Sequence, residues 1–103
     1  MKAIIDGKRY NTETATEVAE YWNGLGGGDF GRYEESLYKT AKGAWFLAGK
    51  GGPMSPYAQS VGNGQSGGEG IRPITADEAR EWLEKKNEID ALDEHFADHI
   101  EDA

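Results

Sequence analysis

Two short runs of residues that favour β-strands open the chain. An apolar run at residues 2–5 is followed by Asp6 and Gly7, a pair that strongly favours a two-residue hairpin turn. Residues 8–10 have the composition of a returning strand. We therefore expect a small antiparallel ribbon at the start of the sequence.

The next segment has the pattern of a short amphipathic helix. Thr14 and Glu17 have the spacing of a capping box, in which each side chain bonds a backbone N–H of the other residue. Apolar residues follow at helical intervals, namely Ala15, Val18, Ala19 and Trp22. The pair at residues 23–24, Asn-Gly, is typical of a helix end. This pattern predicts an N-terminal helix that packs on the sheet.

Two aromatic-rich segments predict the centre of that sheet. Residues 32–40 (RYEESLYKT) and 44–49 (AWFLAG) have strand composition, and the turn at 41–43 joins them. Trp45 and Phe46 are neighbours on the second strand, so their side chains point to opposite faces. Either the helical C-terminus covers the second face, which we favour, or one ring is exposed as an anchor for a partner.

The last quarter of the chain has a second helical pattern. Thr75 and Glu78 form another capping box, and large apolar residues then recur at intervals of seven. These are Trp82, Ile89 and Phe96. A single long helix would place all three on one face, whereas Asn87 leaves open a break into two helices.

These elements predict an α+β fold. It consists of a small curled antiparallel β-sheet with a packed N-terminal helix and an acidic helical C-terminus. We assign residues 1–86 to the core domain, which includes a long glycine-rich loop over 48–72, and residues 87–103 to an acidic helical extension.

The glycine-rich stretch contains strings that occur in phosphate-binding loops, but their context is wrong. In a Walker-type loop the two glycines are five positions apart, a lysine follows the second glycine, and a hydroxyl residue follows the lysine. Here Gly43 precedes Gly49 by six positions, and Gly51 occupies the place of the hydroxyl. The G-x-G-x-x-G string at 62–67 lacks a buried strand before it and a helix after it. We expect a surface loop without a nucleotide or any other cofactor.

No group of residues has the pattern of an active site. His95 and His99 share a face of the predicted helix, but a third metal ligand is not evident, and exposed histidines near a helix C-terminus are favoured over a metal site. Glu34 and Glu35 point to opposite sides of a strand, so we interpret them as solvated residues. We expect a protein that is not an enzyme and holds no metal.

The charge of the chain is concentrated at one end. The net charge of the 103 residues is −8. Residues 1–76 carry equal numbers of acids and bases, whereas residues 77–103 carry eleven acids and three bases. Direct binding of nucleic acid requires clustered lysine and arginine, so we expect none. The natural partner of such a segment is a basic protein surface.

Cysteine and long apolar segments are both missing from the sequence. The absence of cysteine excludes disulfides and thiolate chemistry. The apolar run near residue 4 is far shorter than that of a signal peptide or a membrane span. We therefore expect a cytoplasmic protein in a host cell, without a membrane partner.

Three stretches of the chain are distinctive: IIDGKRYNTETATEVAEYWN, LYKTAKGAWFLAGKGGPMS and IRPITADEAREWLEKK. Over roughly residues 3–86 they resemble a family of small proteins encoded by bacteriophages, plasmids and integrative elements. Small acidic proteins of this kind are similar to anti-CRISPR inhibitors. The resemblance implies a non-enzymatic inhibitor, and it supplies no catalytic motif.

We therefore expect an inhibitor that binds the basic nucleic-acid-binding surface of a CRISPR–Cas effector. The residues expected to contact the partner are six acids and two aromatics: Glu84, Glu88, Asp90, Asp93, Glu94, Asp98, Tyr38 and Trp45. The alternative is an accessory interaction module that forms a homodimer through its C-terminal helix, because the seven-residue apolar spacing favours this as well.

Overall fold

A computed structural model describes all residues from 1 to 103. The strands, in chain order, are β1 (Lys2–Ile5), β2 (Lys8–Asn11), β3 (Thr16–Trp22), β4 (Tyr33–Lys39), β5 (Trp45–Gly51), β6 (Gln59–Val61), β7 (Gly64–Ser66) and β8 (Gly68–Ile74). Helices α1 (Ala76–Lys85) and α2 (Ile89–His95) follow, and a 3₁₀ turn spans Ala97–His99. Strands come first and helices last, so the α+β class is confirmed.

The main sheet has four antiparallel strands in the order β3-β4-β5-β8. Strands β1 and β2 form a separate ribbon. Strands β6 and β7 form a small separate hairpin in the part of the chain that connects β5 to β8. The predicted turn of the ribbon is confirmed, because Asp6 has φ 52° and Gly7 has φ 76°. Positive φ at both central residues is the geometry that an Asp-Gly hairpin turn requires.

The predicted N-terminal helix is wrong, because residues 16–22 form strand β3. The segment TEVAEYW contains β-branched and aromatic residues, and it pairs with β4 along its whole length. A β-bulge between Glu17 and Ala19 shifts the register by one residue. Thr14 bonds the Asn11 carbonyl oxygen instead of capping a helix. Pairing and burial in the sheet outweigh the helical spacing of a few small residues.

The two faces of the sheet are covered by different elements. Trp45 packs under the helices together with Leu37 and Leu83, whereas Phe46 packs under the ribbon against Tyr10. The prediction that Trp45 and Phe46 point to opposite faces is confirmed. The ribbon, instead of the helical C-terminus, covers the second face, so neither ring is exposed.

The second capping box is confirmed, and it starts α1. The Thr75 hydroxyl oxygen accepts a hydrogen bond of 3.1 Å from the Glu78 N–H, and the Thr75 N–H donates one of 2.9 Å to the Glu78 carboxylate. Helix α1 ends before Asn87, whose φ of 56° is left-handed, so the chain breaks into two helices there. The break leaves Ile89 58% exposed, while Trp82 and Phe96 are buried.

Helix α2 belongs to the same core as the sheet. The boundary near residue 86 coincides with the end of α1, but Ala91, Leu92 and Phe96 join the cluster around Leu37. Helix α1 is the longest helix, and at ten residues it is too short to cross a membrane, as is every other helix.

Most of the predicted glycine-rich loop over residues 48–72 is paired as strand. Strand β5 continues to residue 51, the hairpin β6–β7 follows, and β8 begins at residue 68. Several glycines of this stretch lie where a side chain cannot fit: a Cβ on Gly52 would meet the Phe30 carbonyl oxygen at 2.5 Å, and one on Gly67 would meet the Gly51 oxygen at 2.6 Å. The glycines therefore allow segments of backbone to pack closely.

Candidate protein-interaction surface

The predicted acidic residues lie together on the helices that cover the sheet. Leu83 of α1 and Leu92 of α2 face the core, so the opposite sides of both helices face water. We call this outer surface of residues 77–103 the helical layer. Its predicted contact residues are exposed, except for Glu88, which is half-buried: Glu84, Glu88, Asp90, Asp93, Glu94 and Asp98. The structure thus brings the six acids to one layer.

Few of these carboxylates are neutralised by a neighbour. Within residues 77–103, Arg80 lies 3.6 Å from Asp77, and His95 lies 3.8 Å from Glu94. No other carboxylate of the helical layer has a basic side chain within ion-pair distance. Lys86 turns instead to the Tyr21 ring, 3.9 Å from its centre. The helical layer is therefore a strongly negative surface that attracts cationic groups.

Trp45, which was predicted to contact a partner, is buried in the core of the chain. Its ring is buried, stacks on Phe96 at 5.2 Å between centroids, and meets the edge of His95 at 5.5 Å. The rings of His95 and Phe96, at the C-terminal end of α2, cover it. Strand sequence alone does not say which of two neighbouring aromatics is covered, and here both are.

Tyr38 lies on the other face of the sheet from the helical layer. Its ring stacks on Phe46 at 5.1 Å, and its hydroxyl lies 3.5 Å from the Glu17 carboxylate. Burial, followed by the negative charge of Glu17, raises the pKa of the Tyr38 hydroxyl. Tyr38 is therefore not part of the surface that the six acids form.

The two histidines lie beside aromatic rings, His95 half-buried and His99 exposed. His95 contacts the Trp45 ring, and His99 meets the Phe96 ring edge-on at 6.2 Å. Histidine, aspartate and glutamate side chains nowhere form a group of three with the arrangement of a metal site. The i, i+4 spacing thus places the two histidines beside the stacked rings of Trp45 and Phe96.

A buried carboxylate that the sequence did not indicate lies under the helices. Glu35 is only 6% exposed, although it was predicted to be solvated like its neighbour Glu34. Its carboxylate accepts hydrogen bonds from the Tyr57 hydroxyl at 2.7 Å, the Trp82 indole at 2.6 Å and the Arg72 guanidinium at 3.3 Å. Three donors, one of them charged, replace the water that a buried carboxylate loses.

The surroundings of Glu35 make it a structural group. Burial, and then the bond to Glu35, raises the pKa of the Tyr57 hydroxyl, so that hydroxyl stays protonated and keeps donating. Arg72 also lies over the Tyr57 ring at 5.3 Å. The three donors to Glu35 belong to β8, to α1 and to the segment around Tyr57. The cluster therefore joins these parts of the chain to β4.

Comparisons with protein-family models, with curated proteins and with solved structures found no match to the chain. The interpretation of the surfaces therefore depends on the geometry and charge of the chain itself.

Proposed function

We propose that the protein is a non-enzymatic inhibitor that binds a basic protein surface through the helical layer. The observation that supports this proposal most strongly is the exposure of ten of the eleven carboxylates in residues 77–103. The core side of the same helices is closed by buried apolar residues. A rigid base that carries unpaired negative charge is suited to a cationic partner, since its carboxylates need no rearrangement before they bind.

The proposed class of partner is supported by charge and by the resemblance described above. A CRISPR–Cas effector holds nucleic acid in a positively charged channel. The effector recognises the shape and the backbone of that nucleic acid. Carboxylates of the helical layer would occupy cationic groups that otherwise bind phosphates. The resemblance to proteins of mobile elements supports an effector of this kind over other basic proteins.

Complex formation and cleavage test the proposal together. The protein is mixed with purified CRISPR–Cas effectors, with and without guide RNA, and the mixtures are separated by size-exclusion chromatography. We expect a stable complex with one effector and protection of its target DNA from cleavage. If the protein forms no complex with any effector but binds another basic host protein, the anti-CRISPR proposal is wrong. The proposal that the helical layer binds a basic protein surface would then remain.

A second candidate function is supported by exposed apolar residues on the helical layer. Ile89 and Ile100 are both exposed, which favours a homodimer interface at the C-terminal helices. Trp82 and Phe96, which shared the predicted seven-residue stripe, are buried in the protein's own core and are not available. Light scattering separates the two functions: a mass of one chain excludes the dimer, and a mass of two chains that Ile89→Lys reduces to one supports it.

A further inference from the structure

Strand β3 is an open edge of the main sheet. It pairs with β4 on one side, and no other strand pairs with it on the other. None of the backbone hydrogen bonds outside the strand ladders and helices involves a residue of Thr16–Trp22. The outward N–H and C=O groups of this seven-residue strand therefore have no partner in the chain. Such a row of groups can pair with an added strand.

The opposite edge of the sheet is less accessible. Strand β8 contains Pro73, which has no N–H to donate. At its start, the position of a Cβ on Gly68 lies 2.7 Å from the Gln59 side chain and 2.8 Å from the Tyr57 carbonyl oxygen, so the preceding segment covers this end. Strand addition is therefore expected at β3 and not at β8.

The β-bulge determines which side chains stand beside the open edge. In a regular strand Glu17 and Glu20 would point to opposite faces, because they are three residues apart. Val18 is an extra residue without a partner on β4, and it shifts the alternation of side chains by one position. Glu17 therefore pairs with Tyr38 and Glu20 pairs with Ser36 on the same face. Trp22, two residues farther on, points to that face as well. The bulge thus aligns two carboxylates and one indole along the edge.

An open cleft of about 910 Å³ runs beside Glu20 and Trp22. Its walls include Glu20, Trp22, Ser36 and Tyr38, and it lies on the face opposite the helical layer. Neither Glu17 nor Glu20 has a basic side chain within ion-pair distance. Of the cleft's cations, the Arg32 and Lys50 side chains are each 3.4 Å from Glu34, and the Met1 ammonium donates a hydrogen bond of 2.9 Å to the Thr12 hydroxyl oxygen. Neither carboxylate is therefore neutralised by a cation of the chain, although Glu17 accepts a hydrogen bond of 3.5 Å from the Tyr38 hydroxyl.

The indole of Trp22 is exposed but fixed in place. It is 54% exposed, and its N–H donates a hydrogen bond of 2.9 Å to the Leu25 carbonyl oxygen. An exposed indole face attracts lysine and arginine side chains, and a fixed ring loses little freedom when it binds them. Trp22 therefore provides a third cation-binding group in line with Glu17 and Glu20.

We propose that strand β3 binds an extended segment of a partner polypeptide that carries alternating lysine or arginine residues, as an added strand of the sheet. Backbone hydrogen bonds to β3 supply the attachment, and basic side chains meet Glu17, Glu20 and Trp22. A second copy of the chain fits poorly, because β3 paired with β3 gathers four carboxylates at one seam. Nucleic acid is repelled by the same charges. The inference does not depend on the helical layer, which lies on the other face.

The test uses isotope-labelled protein and a synthetic probe. The probe is a peptide of alternating lysine and threonine with blocked, uncharged termini. It is about nine residues long, which is enough to span β3. We expect amide NMR shifts concentrated in residues 16–22 and slower hydrogen exchange of the β3 amides that do not bond to β4. A matched peptide with N-methyl groups on alternate residues keeps the charge but loses backbone donors, and it should bind at least about tenfold more weakly.

Protein variants assign the site. The double variant Glu17→Gln with Glu20→Gln keeps the side chains nearly the same size. It should weaken the binding of the lysine peptide by about tenfold. Asp93→Asn with Asp98→Asn on the helical layer removes the same charge and should change the affinity by less than about twofold. Equal binding of the N-methylated peptide, or shifts confined to residues 77–103, would overturn the proposal. Shifts in β3 that follow protein concentration without peptide would point to self-pairing and overturn it as well.

Discussion

The indole N–H of Trp82 donates a hydrogen bond of 2.6 Å to the carboxylate of Glu35, and this contact joins helix α1 to the middle of the sheet. The two residues are 47 positions apart in the chain. The contact places α1 across the face that buries Leu37, and it thereby determines which side of the helix faces water. The position of the helical layer depends on this buried pair.

Replacing Glu35 by alanine should therefore destabilise the fold severely. The change leaves the Tyr57 hydroxyl, the Trp82 indole and the Arg72 guanidinium without their acceptor, and we expect a loss of about 3 kcal/mol or more in the free energy of unfolding. Glu34→Ala is the matched control on the same strand, because that carboxylate is half-buried and its ion-pair partners, Arg32 and Lys50, stay in contact with water. It should cost no more than about 1 kcal/mol. Urea denaturation followed by tryptophan fluorescence measures both, and equal losses would contradict a structural role for Glu35.

Gly49 and Gly70 offer a second matched pair, since they are cross-strand partners on β5 and β8. A Cβ on Gly49 would lie 2.5 Å from the Glu34 carbonyl oxygen and 2.6 Å from the Tyr57 ring, whereas one on Gly70 would meet nothing within 4 Å. We expect Gly49→Ala to cost about 1–3 kcal/mol of stability through overpacking. Gly70→Ala should be neutral or slightly stabilising. If both variants unfold at the same urea concentration, the close packing around Tyr57 is wrong.

Two tryptophan substitutions test which aromatic rings belong to the core. Trp45→Ala removes a buried ring that stacks on Phe96, and we expect a loss of about 3–5 kcal/mol. Trp22→Ala removes a ring that is largely exposed and should cost less than about 1 kcal/mol. Thermal unfolding by circular dichroism compares them. A mild effect of Trp45→Ala would restore this residue as a candidate for partner binding.

The capping box of α1 should make stability depend on pH in a defined direction. The backbone N–H of Thr75 bonds the Glu78 carboxylate and lowers its pKa below the ordinary value of 4.5. Because the folded pKa lies below the unfolded one, this stabilisation is complete above the unfolded pKa and is lost as the pH falls towards the folded pKa. The stability difference between the protein and Glu78→Gln should thus shrink as the pH drops through 4.5 and below.

Glu81→Gln is the control for that experiment. Glu81 is an exposed carboxylate on the same helix, and it makes no hydrogen bond to the cap. Denaturation midpoints are measured from neutral pH down to the acid limit of the fold. A difference for Glu78→Gln that grows on acidification would have the wrong sign and would contradict the capping interaction.

Local patterns predicted some elements and failed for others, and the two Thr-x-x-Glu strings show why. Both strings satisfy the capping-box spacing, but only Thr75 and Glu78 precede a helix. At Thr14 and Glu17 the following residues pair with β4, and Glu17 contacts Tyr38 instead. A capping box is a contact within one turn, so it forms where no distant strand competes for the same residues.

The buried carboxylate was beyond the reach of sequence reasoning for a related reason. The three donors to Glu35 lie 22, 37 and 47 positions away in the chain, so no local spacing marks it. The acidic residues of the helical layer were predictable because charge and helical period are local properties. The burial of Trp45 was not predictable, because the residue that covers it, Phe96, directly follows a helix whose start at Ile89 depends on the break at Asn87.

The central claim, that the helical layer is the binding surface, is tested most directly by the salt dependence of the association rate with a CRISPR–Cas effector. Two variants with the same net charge are compared: Asp93→Lys with Asp98→Lys on the helical layer, and Glu13→Lys with Glu69→Lys elsewhere on the surface. We expect the helical-layer variant to associate about tenfold more slowly at low salt, with a smaller difference at high salt, while the control stays near the original rate. Equal slowing of both variants would show that only net charge matters, and an unchanged rate for the helical-layer variant would contradict the claim.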